Sequence, residues 1–190
     1  MKKIVGILLV LLLVVAFVGC SSNKSTGQKV VPGSFAEFVK EAILKAPEDV
    51  LVGIGSAKLA SLSQSMTLSE TRARADISRQ MNTIIQDMVR DYQASSEVDP
   101  SAALSFQETM TVSLSKSELQ GSTRHAQDRD GDGMVWTVMY YGKNNVVKEI
   151  NQAQAAARLA VPAMASFSAE DRMNAAFDRV NKQDPVGVSQ

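Results

Sequence analysis

Residues 71–92 set the first constraint on this chain. Ala73, Ile77, Met81, Ile84, Met88 and Tyr92 recur at spacings of 4, 4, 3, 4 and 4, the interval that keeps returning an α-helix to one face. The opposite face carries Arg72, Arg74, Arg79, Gln86, Asp87 and Arg90. A helix this long with one apolar stripe draws its stability from packing rather than from propensity. The rest of the chain must therefore supply an apolar surface for it to lie on. Thr67 and Glu70 stand at capping-box spacing ahead of the stripe, so the helix is expected to start there.

Two short regions can supply that surface. Val50–Ala57 (Val-Leu-Val-Gly-Ile-Gly-Ser-Ala) is apolar and β-branched and predicts a buried strand. Gly53 and Gly55 within it lack Cβ atoms, which would let the long helix sit close. Ser122–Gln127 and Met134–Tyr141 flank the sequence Asp128-Arg129-Asp130-Gly131-Asp132-Gly133. Its two Asp-Gly pairs tolerate positive φ, so the region predicts a hairpin. Within the second hairpin strand Trp136, Val138 and Tyr140 share one face, and Val135, Thr137, Met139 and Tyr141 the other. If helices cover only one of these faces, the other is an exposed aromatic surface suited to assembly or binding; burial of both is an equal alternative.

Further helices are expected around this unit. Ser34 and Glu37 form a second capping box, followed by Phe35, Phe38, Val39, Ala42, Ile43 and Ala46 on one stripe, with Pro47 as the stop. Asp99-Pro100 interrupts the long helix. The segment Ala102–Leu119 stays open: Phe106, Met110 and Leu114 fit a helix, while Met110, Val112 and Leu114 fit a strand. Asn144–Ala160 is an alanine-rich helix with Val146, Ile150, Ala153 and Ala157 on one side, ended by Pro162. Ser168 and Asp171 cap a last helix bearing Met173, Ala176, Phe177 and Val180, and Asp184-Pro185 opens a tail. This order implies an α+β fold: a small three-stranded antiparallel or mixed sheet, the long amphipathic helix packed on one face, and C-terminal helices.

The N-terminal segment constrains where the chain works. Lys2 and Lys3 precede the apolar run Ile4–Val18, and Gly19-Cys20 closes it before polar Ser21-Ser22-Asn23. A basic start, an apolar centre of about 15 residues and a small residue before the cut are the marks of a secretory signal; a comfortable membrane span needs ~20. Phe17-Val18-Gly19-Cys20 resembles the lipobox of bacterial lipoproteins, with Phe where Leu is usual. That resemblance implies acylation of Cys20 and anchoring by several acyl chains, since one chain alone holds only marginally. By the sorting pattern of such proteins, Ser21 implies the outer membrane. Residues 1–19 are thus expected to be a signal peptide, and 20–33 a lipidated polar tether.

Charge and cysteine count narrow the function. The chain carries 20 basic and 20 acidic residues; without Lys2 and Lys3 there are 18 against 20, a net of −2. Nucleic acid, which needs a basic face, is excluded as a partner. With Cys20 as the single cysteine, no intramolecular disulfide forms. Asp128, Asp130 and Asp132 match the opening of a calcium loop and form a weak metal candidate. The twelfth position, however, is Met139 rather than a bidentate Glu, so a turn is favoured. Gly53-x-Gly55 lacks the third glycine of a dinucleotide loop, position 58 being Lys. His125 is the only histidine and has no neighbouring acid or nucleophile in sequence. Neither catalytic residues nor a cofactor site is expected, and the eight internal methionines are taken as core filling.

Taken together, Cys20, Gly53-Ile-Gly55-Ser-Ala57, Thr71-Arg72-Ala73-Arg74-Ala75-Asp76-Ile77-Ser78 and Asp130-Gly131-Asp132-Gly133-Met134-Val135-Trp136 resemble the Lpp-twenty family of lipoproteins. That family is named for a twenty-kilodalton membrane-associated lipoprotein of Helicobacter, and related domains occur in flagellar outer-membrane ring and disk lipoproteins. The resemblance spans residues 34–150. It implies a small α+β domain on the envelope, without catalytic residues, and leaves 151–190 as a helical extension and tail. The expected role is a membrane-anchored, non-catalytic envelope lipoprotein that assembles with copies of itself or with envelope protein partners. A periplasmic ligand-binding or calcium-responsive module and a flagellar ring component stand as alternatives.

Overall fold

The computed structural model describes residues 35–117 and 119–182. Cys20, Ser34 and the Asp184-Pro185 tail lie outside the described residues. The chain runs α1 (Glu37–Leu44), β1 (Val50–Ala57), α2 (Leu62–Ser95), α3 (Pro100–Ser115), β2 (Thr123–Arg129), β3 (Val135–Gly142), α4 (Lys143–Ala160), a 3-10 turn (Pro162–Met164) and α5 (Ala169–Lys182). The fold is α+β, with the three strands forming one antiparallel sheet in the order β1-β3-β2.

Helix α2 is the spine. Its 34 residues extend about 50 Å at 1.5 Å per residue. Ala73, Ile77, Met81, Ile84, Met88 and Tyr92 are all buried, as their spacing requires. The first half lies close on the sheet because β1 turns two residues without side chains, Gly53 and Gly55, toward it. A Cβ on Gly53 would strike the Ala73 carbonyl and approach Ile77 Cγ1 to 2.6 Å, and one on Gly55 would strike Ser69 O and Ala73 N. Two glycines thus bring strand and helix backbones into near contact, as expected from their position.

The start of α2 differs from the Thr67–Glu70 expectation. The helix begins at Leu62, capped by Ser61, whose side chain accepts from Gln64 N at 3.4 Å. Thr67 sits inside the helix and donates to Ser63 O, and Glu70 reaches Arg74 at 3.0 Å instead of a cap. The inner stripe continues upstream through Ser65 and Ser69, both buried. Small polar residues fit where the helix comes closest to the sheet, and these interrupted the apolar pattern. Helix α1 likewise begins at Glu37, with Ala36 as an N-cap that makes no side-chain bond. Glu37 therefore occupies the first helical position and pairs with Lys40 at 3.2 Å rather than closing a capping box.

The second half of α2 leaves the sheet and joins α3, α4 and α5 in one buried cluster with Tyr141, Leu51 and Met139. The open segment resolves as helix up to Ser115: α3 has Asp99 as N-cap, accepting from Ser101 N at 2.6 Å, and Pro100 in its first turn. Phe167 anchors the bundle, packing on Tyr92 (5.5 Å between centroids) and Phe106 (5.0 Å). Arg179 of α5 bridges Asp87 (3.2 Å) and Asp91 (2.6 Å) on α2. The C-terminal helices thus share the main core rather than hanging beside it. On the other face of the sheet, α1 covers Val52 and Val138 with Phe35, Val39, Ala42 and Ile43.

Candidate interaction surfaces

The aromatic face of β3 is largely covered. Val138 is buried, and Trp136 and Tyr140 are half-buried under α1. Tyr140 Oη donates to Ala42 O at 2.6 Å, and Phe35 meets Trp136 edge-on at 5.3 Å. Burial raises the Tyr140 phenol above its ordinary range. The alternative of an open aromatic sheet surface therefore gives way to a second, smaller core.

In the hairpin turn, Asp130 organises the loop. Its Oδ1 accepts from Asp132 N (3.1 Å) and Met134 N (2.8 Å), and its Oδ2 from Trp136 Nε1 (2.7 Å). The indole N–H leads in holding this carboxyl below the usual carboxylate range. Asp128 accepts from Arg129 N at 2.7 Å. The one carboxylate held at the centre of the turn thus spends both oxygens on the hairpin's own donors, and Asp128, Asp130 and Asp132 do not converge on a common point. Among the described residues no cluster of three His, Cys, Asp or Glu side chains is placed to hold a metal ion. Gly133, at φ +82°, completes the turn.

His125 is the bulge residue of β2, at the register shift between Arg124 and Ala126, and its ring stacks on Tyr140 at 4.2 Å. A different polar group is buried nearby. Thr137, on the helix-facing side of β3, meets Ser69 Oγ at 2.6 Å and accepts from Gln127 Nε2 at 2.7 Å. Gln127 also donates to Met66 O at 3.0 Å. These bonds tie α2 to β2 and β3 and satisfy the buried hydroxyls of Ser69 and Thr137, which is what burial of polar groups demands.

The most organised surface feature was not expected. β1 is an edge strand, and α2 lays three side chains along its free backbone. Arg72 Nη1 donates to Ser56 O (2.5 Å), Ile54 N donates to Asp76 Oδ2 (3.1 Å), and Gln80 Nε2 donates to Val52 O (2.8 Å). Spaced by four along the helix, these residues imitate a neighbouring strand. Burial raises the Asp76 carboxyl above its ordinary value, against the pull of hydrogen bonds from Arg79, Ile54 N and Gln80. In sequence, Arg72 looked like part of the solvated face. Only knowledge that β1 lies at the sheet's edge gives the 72–76–80 spacing its meaning. The sequence matches no known family model, no curated protein and no solved structure.

Proposed function

We propose that this chain is a lipid-anchored envelope protein, acylated on Cys20, with a non-catalytic structural or assembly role and a likeness to the Lpp-twenty family. The observation that carries it is Phe17-Val18-Gly19-Cys20 directly after the apolar run Ile4–Val18. A lipid on Cys20 would attach the domain through the short stretch before Phe35, the first described residue, which is buried. Among the described residues no helix is long and apolar enough to cross a membrane. The polar side chains that were candidates for chemistry are engaged by the fold itself: Asp130 bonds to its hairpin and His125 stacks on Tyr140. That supports a scaffolding role over catalysis. The order of helix, strand, long helix and hairpin supports the family likeness, and Ser21 supports the outer membrane as location.

Labelled palmitate tests this in cells. The wild-type chain should incorporate it, and Cys20→Ala should incorporate none while keeping its unprocessed mass. A wild-type chain that takes up no label overturns the proposal.

A further inference from the structure

Acylation at Cys20 brings one surface of the domain to the lipid, and the fold selects which. The described chain begins at Phe35, against Trp136. Trp136 pairs with Ser56, next to the end of β1. The chain from Cys20 therefore joins the domain at the end of the sheet where β1 closes and the β2–β3 hairpin turns. Lys58, just past β1, is near enough to Asp130 at the hairpin tip to lower its pKa. Fourteen residues separate Cys20 from Phe35; the fifteen residue steps reach at most about 50 Å, close to the length of α2. A bilayer holding Cys20 thus meets this near end most readily.

The same end carries a cluster of apolar side chains turned to solvent: Leu59 (47% exposed), Leu62 (52%) and Met66 (38%). Leu62 and Met66, four apart, share one face of the first turns of α2, and Leu59 lies in the loop just before it, tied to Ser65. The cluster is held in place. Leu59 N donates to Ser65 Oγ (2.9 Å), Ser65 Oγ donates to Ser61 O (3.0 Å), and Ser61 caps the helix. The surrounding charge is mixed, with Lys58 and Arg129 against Asp128, Asp130 and Asp132. An anionic surface is therefore not selected, and apolar insertion has to supply the attraction.

We propose that Leu59, Leu62 and Met66 dip into the headgroup region of the membrane that holds Cys20, standing the domain on its hairpin end with the α3–α5 bundle away from the lipid. This rests on the lipoprotein reading. Acylated Cys20 leaves no native thiol, so Leu62→Cys in the full chain can carry a single fluorophore. Leu44→Cys (63% exposed) at the other end of α1 serves as control. The acylated proteins are reconstituted in vesicles of phosphatidylethanolamine with a minority of phosphatidylglycerol, and nitroxide-labelled lipids are the quencher. Quenching at position 62 is expected to exceed that at 44 several-fold, to persist without phosphatidylglycerol, and to fall when Leu59→Glu and Met66→Glu are added. Equal quenching at both positions on an acylated chain overturns this proposal alone. So does shielding of position 62 that lipid quencher does not reach and that grows with protein concentration, which would assign the cluster to a second copy. A chain without acyl mass on Cys20 overturns the lipoprotein reading and this proposal with it.

Discussion

The two edges of the sheet are protected by different means. β1 is apolar, and its free backbone is covered by Arg72, Asp76 and Gln80 from α2. β2 (Thr-Arg-His-Ala-Gln-Asp-Arg) is mostly exposed and carries a bulge at His125. Among the described residues no helix lays side chains along its outer backbone in the same way. The difference follows from composition. An apolar, β-branched edge left open is a template for pairing with another chain, so it needs a cover; a charged, bulged edge discourages pairing by itself. The covered edge depends on the close seat of α2, so the two edges should respond very differently to substitution.

The largest effect is expected where that seat is made. Gly55→Ala forces a Cβ against the backbone of Ser69 and Ala73; overpacking against groups that cannot move should destabilise by ~3 kcal/mol. Gly131→Ala at the hairpin tip, with open space around it, should change stability by less than ~0.5 kcal/mol. Urea denaturation of both variants checks the contrast.

Removing the cover itself comes next. Asp76→Ala leaves Ile54 N–H without its partner and should lose ~2 kcal/mol, the range for an orphaned, partly buried donor. It should also expose β1 to pairing, seen as concentration-dependent association in sedimentation. Arg124→Ala on β2 breaks two exposed contacts, with Glu70 at 3.4 Å and with Gln127 Oε1 at 3.1 Å, and should shift stability by at most ~0.5 kcal/mol without association.

A smaller, pH-dependent effect sharpens the role of Asp76. Its folded carboxyl binds a proton more tightly than the unfolded one. Its contribution is therefore full below the ordinary aspartate pKa and is lost as pH rises through the raised value. Asp76→Asn, which can still accept from Ile54 N, should flatten that part of the melting-temperature profile. The smallest effect belongs to the core behind both edges. Tyr141 Oη is buried without a partner and its phenol is pushed up to about 12 by burial, with Glu149 adding to the rise. Tyr141→Phe should be neutral or stabilising within ~1 kcal/mol in thermal melts.

What the residues revealed in advance follows the same division. Periodic apolar spacing was decisive for the α2 stripe, while the limits of β1 follow from its apolar, β-branched run and the hairpin from its Asp-Gly turn. In α3, Val112 is 54% exposed while Phe106, Met110 and Leu114 are buried; the four-residue spacing overrode the alternation that also fitted a strand. The signal failed where small polar residues do apolar work. Ser65 and Ser69 occupy the inner face of α2 because the helix lies too close for larger side chains, so its first turns were hidden and Thr67 with Glu70 mimicked a cap. The β1 cover was illegible for a different reason: whether Arg72, Asp76 and Gln80 face water or backbone depends on strand order, which no local pattern records. Of the candidate sites, the Asp128–Asp132 turn chemistry was readable, but the commitment of Asp130 to Trp136 required the register of the hairpin.

Attachment of lipid to Cys20 can be measured on the native protein itself. Mass spectrometry of its N-terminal peptide, isolated from membranes, should find Cys20 as the first residue, carrying a diacylglyceryl group. A peptide that retains Met1, or begins at Cys20 with a free thiol, contradicts it.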